Sequence, residues 1–256
     1  MNKTENFPSV NYTSLRESTD RRQFMEEQLQ RYGITKSSSY ITERFTDIKD
    51  NIIYYGKFAH EITSQLGSII SQLNLMRNWY NSTNEEYAIF CEDDASFESI
   101  DYWSFTWNEF MQHLPNDWEC VQLIRMISPF TPDSDVLSKI DLRAGRWWGT
   151  HSLMRRSYVE KLLRKTCIGF NEYNIYVDEI HTPYIENLLY LNVGMLYNIP
   201  MIVESDKFTT VFHNKEQEAD LSQLQSHQAV RELWRTQGPT LTIQEIMYGQ
   251  ESNYNN

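Results

Sequence analysis

The chain has 256 residues, of which 40% are hydrophobic and 23% are charged, and its formal net charge is −12. This composition is typical of a globular protein with a sizeable core, and the acidic balance argues against non-specific binding to nucleic acid or to an anionic membrane surface. The three cysteines are far apart in the sequence and form no Cys-x-x-Cys pair, which predicts reduced cysteines, no structural zinc site and a cytoplasmic location.

Strands and helices are predicted to alternate through the first half of the chain. A strand is expected over residues 12–15, followed by a helix that ends at Gly33 and begins with a capping box of Asp20 and Gln23. A second strand near residues 40–45 precedes the clearest helix, residues 58–80, in which apolar side chains repeat at helical spacing.

The second half of the chain continues the pattern less regularly. The apolar spacing of residues 103–114 predicts a helix, and residues 158–163 predict another; strands are expected over residues 87–91, 120–124, 149–154, 193–197 and 201–204. Residues 128–145 are polar and contain two prolines, which favours a loop. The alternation predicts an α/β fold with a mostly parallel central sheet flanked by helices, with residues 1–219 as the main domain and a C-terminal helix and tail, 220–256, packed on it.

Three consecutive acidic residues follow the apolar strand of residues 87–91. Glu92, Asp93 and Asp94 come directly after it, where such a strand emerges from the sheet, and ligands of open α/β sheets bind outside the carboxyl ends of strands. Adjacent carboxylates repel one another unless a cation neutralises them, and Mg²⁺ or Mn²⁺ commonly bridges carboxylates to phosphates. The sequence therefore predicts a metal-assisted site for a phosphate-containing substrate, although acidic residues at a turn also serve as ordinary helix caps.

Five segments, in order, resemble the glycosyltransferase family 25, the lipopolysaccharide and collagen galactosyltransferase type. They are LRESTDRRQFMEEQLQRYGI, QLGSIISQLNLMRNWYN, YAIFCEDDASFE, LPNDWECVQL and WWGTHSLMRRSYVEKLL. The resemblance covers roughly residues 12–213. Ser14 stands at the usual Asn position and Gln72 replaces the His of a Ser-His pair, and Leu153 and Met154 replace an aromatic-led strand.

The resemblance implies a GT-A-like fold, a UDP-sugar donor, Mn²⁺ or Mg²⁺, and inverting transfer of a hexose such as galactose to a glycan or protein hydroxyl, as in lipopolysaccharide biosynthesis. Asp20 and Arg21 match the nucleotide-proximal Asp-Arg pair of the family. Glu92, Asp93 and Asp94 match its metal and diphosphate motif.

Further residues are candidates on chemical grounds. Arg21 or Arg22, at a helix N-terminus, is suited to binding a phosphate. An inverting displacement needs a base for the acceptor hydroxyl, and the candidates are Asp178 and Glu179 of NIYVDEIH, with Glu98 behind them. His213 follows the last strand and is a candidate to complete the metal shell. Acids at a helix start and a single histidine are also common without any catalytic role.

Two alternative functions stay open at this point. One is a metal-dependent phosphohydrolase with a strand-end aspartate as nucleophile, although the strand ends in Glu-Asp-Asp rather than Asp-x-Asp and has no clear lysine partner. The other is a noncatalytic nucleotide-sugar-binding relative in which the Ser14 and Gln72 replacements have abolished turnover. The N-terminal residues lack a signal-peptide pattern and no segment has the length of a transmembrane helix, while the sequence does not determine the oligomeric state.

Overall fold

The computed structural model describes residues 1–44, 52–55, 63–124, 138–139, 151–169, 172–176, 189–190, 195–208 and 217–248. The helices are α1 Thr19–Arg31, α2 Thr63–Ser82, α3 Trp107–His113, α4 Arg156–Thr166, α5 Gln217–Gln237 and α6 Ile243–Tyr248, with a short 3₁₀ helix at Glu98–Tyr102. The strands are β1 Val10–Leu15, β2 Ser37–Thr42, β3 Ile52–Tyr55, β4 Tyr87–Glu92, β5 Ala95–Ser96, β6 Trp118–Gln122, β7 Ser138–Lys139, β8 Ser152–Arg155, β9 Cys167–Gly169, β10 Glu172–Tyr176, β11 Met195–Asn198 and β12 Val203–Glu204.

The described strands build a seven-stranded central sheet in the order β2-β1-β4-β8-β6-β11-β7. β1 pairs in parallel with β2 and β4, and β11 pairs in parallel with β6, whereas β8 and β7 are antiparallel to their neighbours. The predicted α/β class with a mostly parallel sheet is therefore confirmed. The antiparallel direction of β8 between β4 and β6 was not predicted, because the residue pattern of a short strand carries no information about strand direction.

The sheet direction determines which residues lie at its carboxyl edge. β1, β4 and β6 end at this edge, and β8 begins there because it is antiparallel to β4 and β6. Ser152 pairs with Phe90 and with Gln122, so His151 lies beside the last residues of both strands. Residues that are far apart in the sequence thus meet at one edge of the sheet.

Two hydrophobic clusters cover the two faces of the sheet. Alternate residues of a strand point to opposite faces, so Ile89 packs into one cluster and Ala88 and Phe90 into the other. The first cluster combines side chains of α1, α3, α5 and α6, and the second those of α2 and α4. The buried run in β4 therefore has the composition that two covered faces require.

Several predicted elements differ from the observed ones in detail. α1 begins at Thr19 with Ser18 as N-cap and has no side-chain cap hydrogen bond, so the predicted capping box of Asp20 and Gln23 is wrong. Gly33 does follow the helix, with a φ of 66° that favours glycine. The helix predicted over residues 103–114 is confined to α3, because Thr106 and Glu109 form a capping box that begins it there.

The cysteines and the C-terminal helices complete the described structure. Cys91 and Cys120 are buried and Cys167 is half-buried, and all three are free thiols. α5 contacts β12, and α6 contacts α3. No helix in the described ranges combines the length and the apolar character that crossing a bilayer requires.

Candidate functional site

The acidic triplet lies at the carboxyl edge of the central sheet. Glu92 is the last residue of β4, and Asp93 and Asp94 form a turn that leads to β5. Both aspartates are buried, with 7% of the Asp93 side chain and 1% of the Asp94 side chain exposed. The two aspartates lie beyond the end of the buried strand as predicted, whereas Glu92 belongs to the strand itself.

Arg21 of α1 forms an ion pair with both aspartates. Its Nη1 donates to Asp93 Oδ1 at 3.1 Å and to Asp94 Oδ2 at 3.0 Å. The guanidinium also lies 5.2 Å from the centre of the Phe208 ring, and only 18% of the side chain is exposed. The second oxygen of Asp94, Oδ1, is buried and has no hydrogen-bond partner in the part of the chain that the structure describes.

Burial is the main influence on the ionisation of these groups. It raises the pKa of both aspartates, while Arg21 opposes this rise for each of them and a hydrogen bond from Ser14 opposes it for Asp93. Burial would lower the pKa of Arg21, but Asp94 and Asp93 outweigh that effect and raise it. The ionised carboxylates are therefore costly in this position, and the Arg21 guanidinium offsets part of that cost.

Glu92 is oriented by α2 on the other face of the sheet. The Ser68 hydroxyl donates to Glu92 Oε1 at 2.5 Å, and Gln72 Nε2 donates to Cys91 O at 2.9 Å and to Thr13 Oγ1 at 3.1 Å. Ser68 thus holds Glu92 towards α2, while Glu92 is still near enough to contribute to the raised pKa of Arg21. Gln72 fixes the last residues of β4.

Gln28 of α1 holds the chain that follows the aspartates. Its Nε2 donates to Ala95 O and its Oε1 accepts from the Phe97 amide, at 2.9 and 2.8 Å, and the side chain is buried. The amide of Ser205 donates to Asp94 O at 2.8 Å and attaches the same turn to the residues after β12. Neither contact has a signal in the sequence, because a glutamine in a helix is ordinary.

Replacement of Gln28 tests this support. Gln28→Met is expected to lower the free energy of unfolding by roughly 2–4 kcal/mol, because it leaves a buried carbonyl and a buried amide without partners. Gln23→Met, at an exposed position of the same helix, is expected to change it by less than about 0.5 kcal/mol. Urea unfolding of both variants measures the difference, and equal values would contradict a supporting role of Gln28.

Of the remaining candidates, Arg22 and Asp20 lie at the start of α1 but differ in their contacts. Arg22 donates to the Ser14 hydroxyl at 3.1 Å and to the carbonyls of Leu15 and Arg16, so it fixes the β1–α1 connection. Asp20 is exposed in the first turn of the helix. Glu98, the second-choice base, is bound to Arg231 of α5.

Some candidates lie outside the described residues. They are Asp178, Glu179 and His213. The proposed base and the proposed third metal ligand therefore remain sequence predictions.

The aspartate pair fits a cation that is shared with phosphate. In the described part of the chain, no three His, Cys, Asp or Glu side chains gather as a metal-binding group, which argues against an all-protein metal cage there. Mg²⁺ is usually held by one or two carboxylates and by the phosphates of the substrate. The two carboxylates of Asp93 and Asp94 match this donor set, and Asp94 Oδ1 is the oxygen of the pair that lacks a hydrogen-bond partner in the described residues.

His151 lies near the same edge of the sheet, and His227 of α5 is close enough to be influenced by its charge. Within the described ranges neither ring nitrogen of His151 has a hydrogen-bond partner, and only 1% of the residue is exposed. Burial lowers the pKa of His151 to about 4; burial, Arg231 and His151 lower the pKa of His227 to about 4 against the opposing effect of Asp206. Both imidazoles are therefore neutral at pH 7.

Comparison of the chain with models of known protein families and with curated proteins found no match.

Proposed function

We propose that the protein is a metal-dependent glycosyltransferase of GT-A type that moves a hexose, such as galactose, from a UDP-sugar to a hydroxyl of a glycan or protein. The observation that carries the proposal is the buried Asp93–Asp94 turn at the carboxyl edge of an α/β sheet, with an unpartnered oxygen on Asp94. Ligands of such sheets bind at this edge. The five ordered sequence motifs supply the class of donor.

Each part of the reaction has a candidate among the residues of the chain. Asp93 and Asp94 would hold Mn²⁺ or Mg²⁺, which supplies neutralisation of the charge that develops on the leaving diphosphate. Arg21, in the first turn of α1, would bind a phosphate oxygen. Asp178 or Glu179 would accept the proton of the acceptor hydroxyl as it displaces the UDP, with inversion at the sugar carbon.

The proposal is tested by binding and turnover of UDP-sugars. UDP-galactose and UDP-glucose with Mn²⁺ are expected to raise the melting temperature, and hydrolysis or transfer is expected to release UDP. Asp94→Asn is expected to weaken UDP binding in the presence of Mn²⁺ by at least roughly tenfold, measured by isothermal titration calorimetry. Asp101→Asn, at an exposed position, serves as the control. Unchanged UDP affinity of a folded Asp94→Asn variant would contradict the proposal.

The ion pair of Arg21 favours a second candidate, a noncatalytic nucleotide-sugar-binding protein. A guanidinium that already neutralises both aspartates reduces their need for a metal. Binding of UDP-sugars that is independent of Mn²⁺, without release of UDP over hours, would identify this function. Release of UDP that requires Mn²⁺ would exclude it.

A further inference from the structure

Arg21 occupies the position at which a cation would bridge the two aspartates. One nitrogen, Nη1, lies 3.1 Å from Asp93 Oδ1 and 3.0 Å from Asp94 Oδ2, so a single cationic group serves both carboxylates. The pair is largely excluded from water, because the arginine is 18% exposed and the aspartates are 7% and 1% exposed. The chain itself thus supplies a counter-ion at the candidate metal site.

This counter-ion competes with a divalent metal for the same oxygens. A metal binds carboxylate oxygens directly, and the two that face each other already accept hydrogen bonds from Arg21. Two cations that share these oxygens also repel one another, and the repulsion is strong where water is excluded. Asp94 Oδ1 is buried and has no hydrogen-bond partner in the described ranges, so it is a further oxygen that a metal would gain once Arg21 leaves.

Arg21 needs another anion if it is to leave the aspartates. A buried charge that loses its partner is strongly unfavourable, whereas phosphate is a preferred partner of a guanidinium. Arg21 is the third residue of α1, and the N-terminus of a helix favours an anion. The Phe208 ring, 5.2 Å from the guanidinium, provides a face against which the planar group can turn.

We propose that Arg21 is an exchangeable counter-ion that keeps the Asp93–Asp94 site closed to divalent metal until a diphosphate arrives. The metal then replaces the guanidinium on the aspartates, and the guanidinium binds the diphosphate. This inference rests on the proposed function for the assignment of the site to metal and diphosphate. It goes beyond that proposal because it makes the uptake of metal conditional on the substrate.

The test measures Mn²⁺ binding to the full chain by isothermal titration calorimetry and electron paramagnetic resonance, with no sugar donor present. Arg21→Gln removes the charge and is expected to bind Mn²⁺ alone at least tenfold more tightly than the wild type. Arg21→Lys keeps the charge and is expected to bind Mn²⁺ as weakly as the wild type. Arg31→Gln, in the same helix but in an exposed ion pair with Asp101, is the matched control and is expected to match the wild type.

Inorganic pyrophosphate is the probe for the second half of the proposal. In the wild type and in Arg31→Gln, pyrophosphate is expected to raise the affinity of the protein for Mn²⁺ at least tenfold. This gain is calculated after correction for the Mn²⁺–pyrophosphate complex that forms in free solution. In Arg21→Gln this gain is expected to fall to less than threefold. Equal Mn²⁺ affinity of folded Arg21→Gln and wild type would overturn the proposal. If Arg21→Gln does not fold, the wild type and Arg21→Lys still test the proposal. It would be overturned if pyrophosphate leaves the Mn²⁺ affinity of both proteins unchanged.

The two proposals fail in different ways. If the Mn²⁺ affinity follows this pattern but the protein neither binds nor turns over UDP-sugars, the exchange of counter-ions is supported and the proposed function is contradicted. If the protein transfers hexose but Arg21→Gln leaves the Mn²⁺ affinity unchanged, the proposed function is supported and the exchange of counter-ions is contradicted.

Discussion

Arg21→Ala is expected to lower the free energy of unfolding by roughly 3–5 kcal/mol in metal-free solution, the largest effect of any single substitution at the site. The substitution leaves two buried carboxylates side by side without a cation. Part of the loss is expected to return when Asp94→Asn is added, because the double variant has one buried charge fewer. Urea unfolding of the single and double variants at pH 7 measures both values.

The control for this prediction is a surface ion pair of the same helix. Arg31 pairs with Asp101 at 2.6 Å, with 64% and 40% of the two side chains exposed. Arg31→Ala is therefore expected to lower the free energy of unfolding by at most about 1 kcal/mol. A similar cost for Arg21→Ala would mean that the aspartates are not held by Arg21 in solution.

Acidification is expected to destabilise the protein through His151 and His227. An imidazole with a pKa of about 4 in the folded protein and about 6.5 in the unfolded chain stays neutral in the native state while the unfolded chain takes up a proton. The contribution of the neutral imidazole to the free energy of unfolding is fully present above about pH 6.5 and is lost as the pH falls towards 4. Each histidine can account for at most roughly 3 kcal/mol of this loss.

His151→Leu isolates one of these contributions. The ring makes no hydrogen bond, so the substitution is expected to change the stability at pH 7 by less than about 1.5 kcal/mol. Between pH 7 and pH 4.5 the variant is expected to lose clearly less stability than the wild type. The comparison at each pH is needed because the raised pKa values of Asp93 and Asp94 act in the opposite direction and favour the native state in acid.

His113→Gln is the matched control for acidification. His113 is only partly buried, and its Nδ1 lies 2.8 Å from Glu109 O at the end of α3. This variant removes an imidazole that is not deeply buried, so it measures the effect of losing a histidine outside the core. If His151→Leu and the wild type lose the same stability on acidification, His151 is not held neutral by burial.

Local patterns in the sequence predict the elements that depend on a strong period or on a special residue. The apolar run of residues 87–91 became β4, and the helical stripes became α2 and α4. The errors occurred where an apolar stripe extends beyond a helix, as at Trp103, which follows the 3₁₀ helix and packs in the core without being helical. Burial alone does not distinguish an apolar residue inside a helix from a buried apolar residue beyond the end of the helix.

The site was only partly predictable for a related reason. Three acids after a buried strand mark a sheet edge, because ionisable side chains are rare inside a strand that is covered on both faces. The partners of those acids come from other elements, Arg21 from α1 and Ser68 from α2. The backbone on either side of the acids is held in the same way, by Gln28 of α1 and Gln72 of α2. None of these pairings has a local signal, since each joins residues that are distant in the sequence.

By itself, the sequence determined the α/β class, the strand over residues 87–91, which the structure extends by one residue to Glu92, and the acidic character of the turn after that strand. Tertiary structure alone decided that Asp93 and Asp94 face an arginine while Glu92 faces α2, and that His151 lies buried beside the ends of β4 and β6. The physical reason is that strand and helix formation depend mainly on neighbouring residues, whereas the direction of β8 and the packing of α1 on the sheet depend on contacts across the whole fold.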